Sequence, residues 1–322
     1  MKQQRFEECC HEDCQQFEHM LAAMEGTAGS SDDISQFPGH YRRMCHYLSL
    51  ARERQYSAHL VDKLNNLVLR GHQQLYRRKV HLLHSMIRFV VADFPAIVRQ
   101  QWRYCLIAAA LFYLPGAILC AFTLLFPELV YSIASAESVI ELESMYDPAA
   151  AHIGRFRDAD SDFAMFGFYI QNNIGIGFRT FAGGILFGIG SLFFLLYNGL
   201  IFGAFSAHII NLDFGSTFFS FVVGHAAFEL TAIVLSGAAG LKLGFAMIAP
   251  GRYPRWQAVK NAAGTAIKII YGVILMLLIA AFIEAFWSSS TLIQNELKYI
   301  VGGCFWLFVF VYFGWMGRRN EA

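Results

Sequence analysis

From Tyr104 onward the chain carries apolar runs that a water-soluble fold of this size has no place for: Tyr104 to Phe126 alone is 23 residues without a charged side chain. A helix rising 1.5 Å per residue crosses a hydrocarbon core of about 30 Å with roughly 20 residues. Further apolar stretches follow at Phe163 to Phe178, Thr180 to Ile210, Phe218 to Ala249, Gly264 to Trp287 and Tyr299 to Trp315. With 56% hydrophobic and only 15% charged residues, the chain has more apolar surface than one soluble core would bury. The fold class expected is all-α: a polytopic helical membrane bundle of about six spans, with an N-terminal cytoplasmic helical region.

Charge is distributed unevenly. Between Arg42 and Arg103 lie twelve Lys or Arg residues against three acids, whereas Pro127 to Asp162 holds eight acids against Arg155 and Arg157. The positive-inside rule puts the first region and the basic loop Gly251 to Lys260 in the cytoplasm, the 127–162 loop outside and both termini inside. The first residues, MKQQRFEECCHEDC, contain no apolar core of a signal peptide, so the first span is expected to direct insertion. The organisation expected is a cytoplasmic helical region over 1–103 and a transmembrane domain over 104–322.

Within the first region, apolar positions recur at helical spacing through Tyr41, Met44, Cys45, Leu48 and Ala51 and again through Leu60, Leu64, Leu67, Val68 and Leu75. CCHEDC offers thiols one turn apart. Phe6, Cys10, Phe17 and Leu21 also fit one apolar stripe, which makes Cys10 a small hydrophobe rather than a ligand. His81 to Arg103 has an apolar face, flanking arginines and Trp102, the pattern of a helix lying along a membrane surface, and Arg77, Arg78 and Lys79 just before it are positioned to meet lipid headgroups. Seven cysteines split between this region and the spans do not form a disulfide framework.

Ionisable groups at membrane depth cost about 2.5–3.5 kcal/mol each, so each needs a partner or a purpose. His225 and Glu229 are one helical turn apart, with Ser236 and Gly240 on the same face; Glu284 sits near the outer end of the fifth span. Asn172, Asn173 and Asn198 add amides in stretches that read as short or interrupted, Phe163 to Phe178 as a thin span or half of a broken helix and Thr180 to Ile210 as broken near Asn198. These six residues form either a polar intramembrane site or a set of interhelical hydrogen bonds that fixes packing. A metal site at His225 and Glu229 lacks an HExxH frame and an identifiable third ligand, so neither a metal nor a cofactor is expected. No GxSxG or phosphate-binding loop occurs, and no enzymatic activity is expected. The pairs Gly184/Gly188, Gly199/Gly203 and Gly240/Gly244 are GxxxG packing signals, compatible with a homo-oligomer.

Several of these stretches, in order, resemble the stage II sporulation protein M superfamily in its form outside sporulating bacteria: HYRRMCHYLSLAR (40–52), LNNLVLRGHQQLY (64–76), Asn172-Asn173, YNGLIFG (197–203), HAAFEL (225–230), SGAAGLKLG (236–244) and AAFIEAF (280–286). The family often has His-Gly where this chain has His225-Ala226, which keeps the His and Glu spacing. Sporulation members act as membrane partners of peptidoglycan hydrolases. The resemblance therefore implies a non-enzymatic inner-membrane component of an envelope assembly, touching membrane lipids and protein partners but no nucleic acid, with a transporter or channel as the alternative.

Overall fold

The computed structural model describes residues 3–25, 36–75, 82–150, 154, 162–290 and 292–318. Among these the regular structure is helical, and the chain divides into two compact units, Met1–Leu82 and Leu83–Ala322. Arg77, Arg78 and Lys79 lie outside the described residues.

The first unit is three helices, α1 (Gln3–Met24), α2 (Phe37–Glu53) and α3 (Ala58–Leu75). The apolar stripe of α1 closes on Phe37, Met44, Leu48 and Ala51 of α2 and on Leu64 and Leu67 of α3. Phe17 stacks on Phe37 at 5.1 Å and lies over Gly71, where a β-carbon would stand 2.6 Å from its ring. Cys10 and Cys14 are buried on the stripe, and burial pushes the Cys10 thiol up to about 12, so it stays protonated as a small apolar group. Polar contacts tie the rim. Arg70 grips Glu25 through two hydrogen bonds of 3.1 and 2.7 Å, which hold the Glu25 carboxyl below its ordinary range. Tyr47 donates to Asp13 at 2.6 Å, and that bond lifts its phenol to about 12.

In the second unit, α10 (Gly215–Ile248) is the central element. Its 34 residues span roughly 50 Å and are buried nearly all round, as its mostly apolar and small composition permits. Packed on it are α6 (Trp102–Leu125), α8 (Asp162–Ala182), α9 (Ile189–Asn211), α11 (Arg255–Ile283) and α12 (Asn295–Trp315). Five helices among the described residues are long and apolar enough to cross a membrane: α6, α9, α10, α11 with its continuation to Ser288, and α12. The chain is a multi-pass membrane protein. The expected sixth, α8, has the length but is less apolar, because Gln171, Asn172, Asn173 and Arg179 interrupt it.

Three local expectations change. Phe163 to Phe178 is part of one continuous 21-residue helix, not half of a broken one. The interruption expected at Asn198 falls instead at Gly183–Gly188: α9 runs unbroken through Asn198, whose side chain donates back to the Phe194 carbonyl at 2.7 Å. At the real break Phe187 and Gly188 have φ of 53° and 86°, and Gly183 meets Gly190 backbone to backbone, a turn so tight that side chains at both positions would collide. The basic loop also shortens, since α11 already begins at Arg255.

The segment read as lying along the membrane surface has two halves. In α4 (Leu82–Arg88), Leu83, Met86 and Ile87 are exposed. In α5 (Phe94–Gln100), Phe94, Pro95, Ala96 and Val98 are buried against α11 and α12, and Arg99 donates to the carbonyls of Phe313 and Met316, capping the end of α12. On the other side of the bundle, a 3-10 turn at Pro127–Ser132 leads to α7 (Ala136–Tyr146), capped by Ser135. Its Leu142 and Tyr146 pack on Ile209, Phe218 and Phe221, and His208 meets Glu143 at 2.8 Å.

Candidate functional site

The polar positions of four helices meet because α10 touches all of them. His225 and Glu229 project from adjacent turns of α10, and Gly224 beside them lets the end of α11 approach: a β-carbon there would stand 3.3 Å from Ile283 and 3.5 Å from Ser288. At that point α11 continues as a π-turn, Glu284–Ser288. The inserted residue of a π-turn re-aims the side chains around it, a device common at functional sites. Here it turns Glu284 and Ser288 toward α10. From the far side α8 contributes Asn172 and Asn173, and α9 contributes Asn198.

All six residues singled out from the sequence line one cavity of about 300 Å³, walled by apolar side chains such as Phe112, Phe202, Phe221 and Ile233 and by Leu142 and Tyr146 of α7. The polar groups form a connected series. Asn172 donates to Asn173 at 3.0 Å, and Asn173, itself buried, donates to the Glu284 carboxylate at 3.3 Å. His225 uses Nδ1 toward the Ser288 hydroxyl at 3.2 Å, while Nε2 stands 3.8 Å from the Glu229 carboxylate. The Ser288 carbonyl accepts from the buried Lys298 of α12 at 2.8 Å, which holds the π-turn in place.

The third candidate ligand that sequence spacing does not supply is Glu284, whose carboxylate comes from 55 positions further along the chain than Glu229. One ligand atom from each of His225, Glu229 and Glu284 lies within 4.8 Å of the others. Ser236 and Gly240, expected on the same face, have a different role. Gly240 sits against Gly184, Ser191 and the carbonyls that end α8, and Ser236 lies at the Gly177 contact, so this stretch is a helix crossing. Asn172 is the exposed member, and it also lines an adjoining groove with Gln171 and Arg179. Sequence reasoning missed Ser288 and Lys298. Their signal was a serine and a lysine flanking an apolar span, ordinary in any membrane protein.

The family comparisons agree with this division of the chain. Residues 4–77 match a domain of unknown function (DUF8413), which coincides with the three-helix unit. No curated protein and no solved structure matches the chain. Residues 105–289, more than half of the sequence and every residue that lines the cavity, match the family model of stage II sporulation protein M, and the chain belongs to that family.

Proposed function

We propose that this protein is a non-enzymatic transport protein of the bacterial inner membrane, in which the chamber between α8, α9, α10 and the α11 π-turn binds a small cation and passes it across the bilayer. The observation behind this reading is the convergence of His225, Glu229, Glu284 and three asparagines on one cavity between α8 and three of the helices long and apolar enough to cross a membrane. Helix packing alone needs only scattered single hydrogen bonds, each worth on the order of 1 kcal/mol. Gathering two carboxylates and an imidazole around open volume is unfavourable unless something positive enters it. At about 300 Å³ the cavity is at the small end of ligand pockets, suited to an ion with a few waters and too small for a lipid or peptide.

The test is flux into liposomes carrying the purified chain, with proton, sodium and manganese(II) entry followed by trapped dyes. Entry at least tenfold above protein-free vesicles, lost in Glu229→Gln, is expected; a folded protein that passes none of the three overturns the reading. The second reading, a scaffold for an envelope assembly, draws support from the three-helix unit with its own family match. It takes precedence if the preparation shows no flux and a stoichiometric partner co-purifies with both wild type and Glu229→Ala.

Orientation follows from charge once α8, long enough though less apolar, is counted as a sixth crossing: both termini and the loop before α11 are then cytoplasmic and α7 is outside. A reporter fused after Asp147 is expected to be exported and one fused after Pro254 to be retained. The reverse pattern would invert the direction of any flux.

A further inference from the structure

The ligand set in the chamber is more specific than a polar lining. His225 is buried, and its ring is oriented from behind: Nδ1 is engaged by Ser288, so Nε2 is the nitrogen that faces the cavity. Metal-binding histidines are characteristically held this way, with the second nitrogen hydrogen-bonded to fix the ring. One carboxylate, Glu284, is likewise held from behind by the Asn173 amide, which is in turn held by Asn172. Nε2 stands 3.8 Å from Glu229, beyond a hydrogen bond, so these groups face each other across a gap rather than bonding directly.

We infer that His225, Glu229 and Glu284 form a binding site for a divalent first-row transition-metal cation, with Mn²⁺ and Zn²⁺ as the ions the donors fit. The inference rests on the proposed transport reading only for its purpose; the site itself stands on geometry. Two carboxylates match the double charge. The imidazole selects against Mg²⁺ and Ca²⁺, which take oxygen ligands, and the absence of thiolate from the set selects against Cu(I). Bonds of about 2.0–2.2 Å in a tetrahedral site put ligand atoms about 3.4 Å apart. The three atoms lie within 4.8 Å of one another, so closing around an ion asks any pair to approach by no more than about 1.4 Å. Cavity volume beyond the three ligands leaves room for water at the remaining coordination positions, an open site from which an ion can leave.

The experiment is equilibrium binding on the full chain, purified in detergent and stripped with chelator. Co²⁺ is titrated in by its visible absorption, with Mn²⁺, Zn²⁺ and Mg²⁺ as competitors. Expected are one site per chain, displacement by Mn²⁺ or Zn²⁺ but not by Mg²⁺, and at least tenfold weaker binding in His225→Ala, Glu229→Gln and Glu284→Gln. Glu284→His, which keeps a ligand, should retain binding and guards against a loss caused by misfolding. His208→Ala, at a second His–Glu pair among the described residues of this unit, should bind like wild type. Binding that survives all three chamber substitutions, or no binding by a folded protein, overturns the site. Proton or sodium flux without metal binding overturns the site and leaves the transport reading standing; binding without any flux keeps the site and overturns transport.

Discussion

Gly203→Leu is expected to abolish folded protein, while Gly303→Ala leaves it unchanged. Helices α6 and α9 cross with their backbones in contact. A β-carbon at Gly203 would run into the Gly116 carbonyl, one at Gly199 into that of Phe112, and one at Gly116 would stand 2.5 Å from the Gly199 carbonyl oxygen. Inside a bilayer no water-driven term pushes helices together, so close van der Waals contact at small residues carries the association. Backbone atoms cannot swing aside as a side-chain tip can. Overpacking a core costs about 1–3 kcal/mol per site when neighbours can adjust, and here the neighbour is the peptide chain itself. The consequence reaches the chamber, because α9 also carries Asn198. Gly303, on α12, has no atom within 4 Å of where a β-carbon would be, so it isolates helix propensity from crossing. Size-exclusion profiles and thermal melting in detergent read both. A Gly203→Leu variant that melts like wild type would mean that α6 and α9 do not cross here.

Phe94→Ala is expected to destabilise the second unit by about 2 kcal/mol, and to do so in a way that depends on Gly272. The Phe94 ring is 2% exposed, stacks on Phe89 at 5.9 Å and meets Phe313 edge-on at 5.5 Å. It also fills the notch at Gly272, where a β-carbon would fall on the ring. If the unfolded reference state leaves this side chain in lipid, the water-to-apolar transfer term largely disappears and the void term remains. At ~24 cal/mol per Å³, a void on the order of 100 Å³ gives about 2.4 kcal/mol. Gly272→Leu should be severe in the wild type and milder when combined with Phe94→Ala, since the second change vacates the notch. Strictly additive melting shifts would show that ring and glycine do not meet.

Both predictions concern contacts that periodicity does not reveal. Phe94 sits in a run whose arginines and Trp102 read as a surface helix, and α4 keeps that exposed apolar character; α5 is drawn into the bundle because Gly272 offers a slot the width of a ring. Likewise Asn198-Gly199 has the composition of a helix break. In the structure the glycine is a crossing point and the asparagine bonds to its own helix, while the break is made by six residues, Gly183 to Gly188, that composition alone presents as part of a span.

The helical class, the spans α6, α10 and α12, the six polar residues of the chamber and the family were readable from the amino-acid sequence; the division was read at 103/104, whereas the compact units part between Leu82 and Leu83, because α5 packs with the spans rather than with the first three helices. Hydropathy and helical period are properties of a few consecutive turns, and an ionisable residue among apolar neighbours is conspicuous wherever it occurs. Convergence was decided only by the tertiary structure. Asn173 and Glu284 are 111 positions apart, and their hydrogen bond depends on α8 and α11 both packing on α10, on Gly224 admitting the π-turn, and on that turn re-aiming Glu284 and Ser288. Each of those is a matter of which small residues let backbones approach, and a third ligand becomes a ligand only when the crossings that bring it near are made.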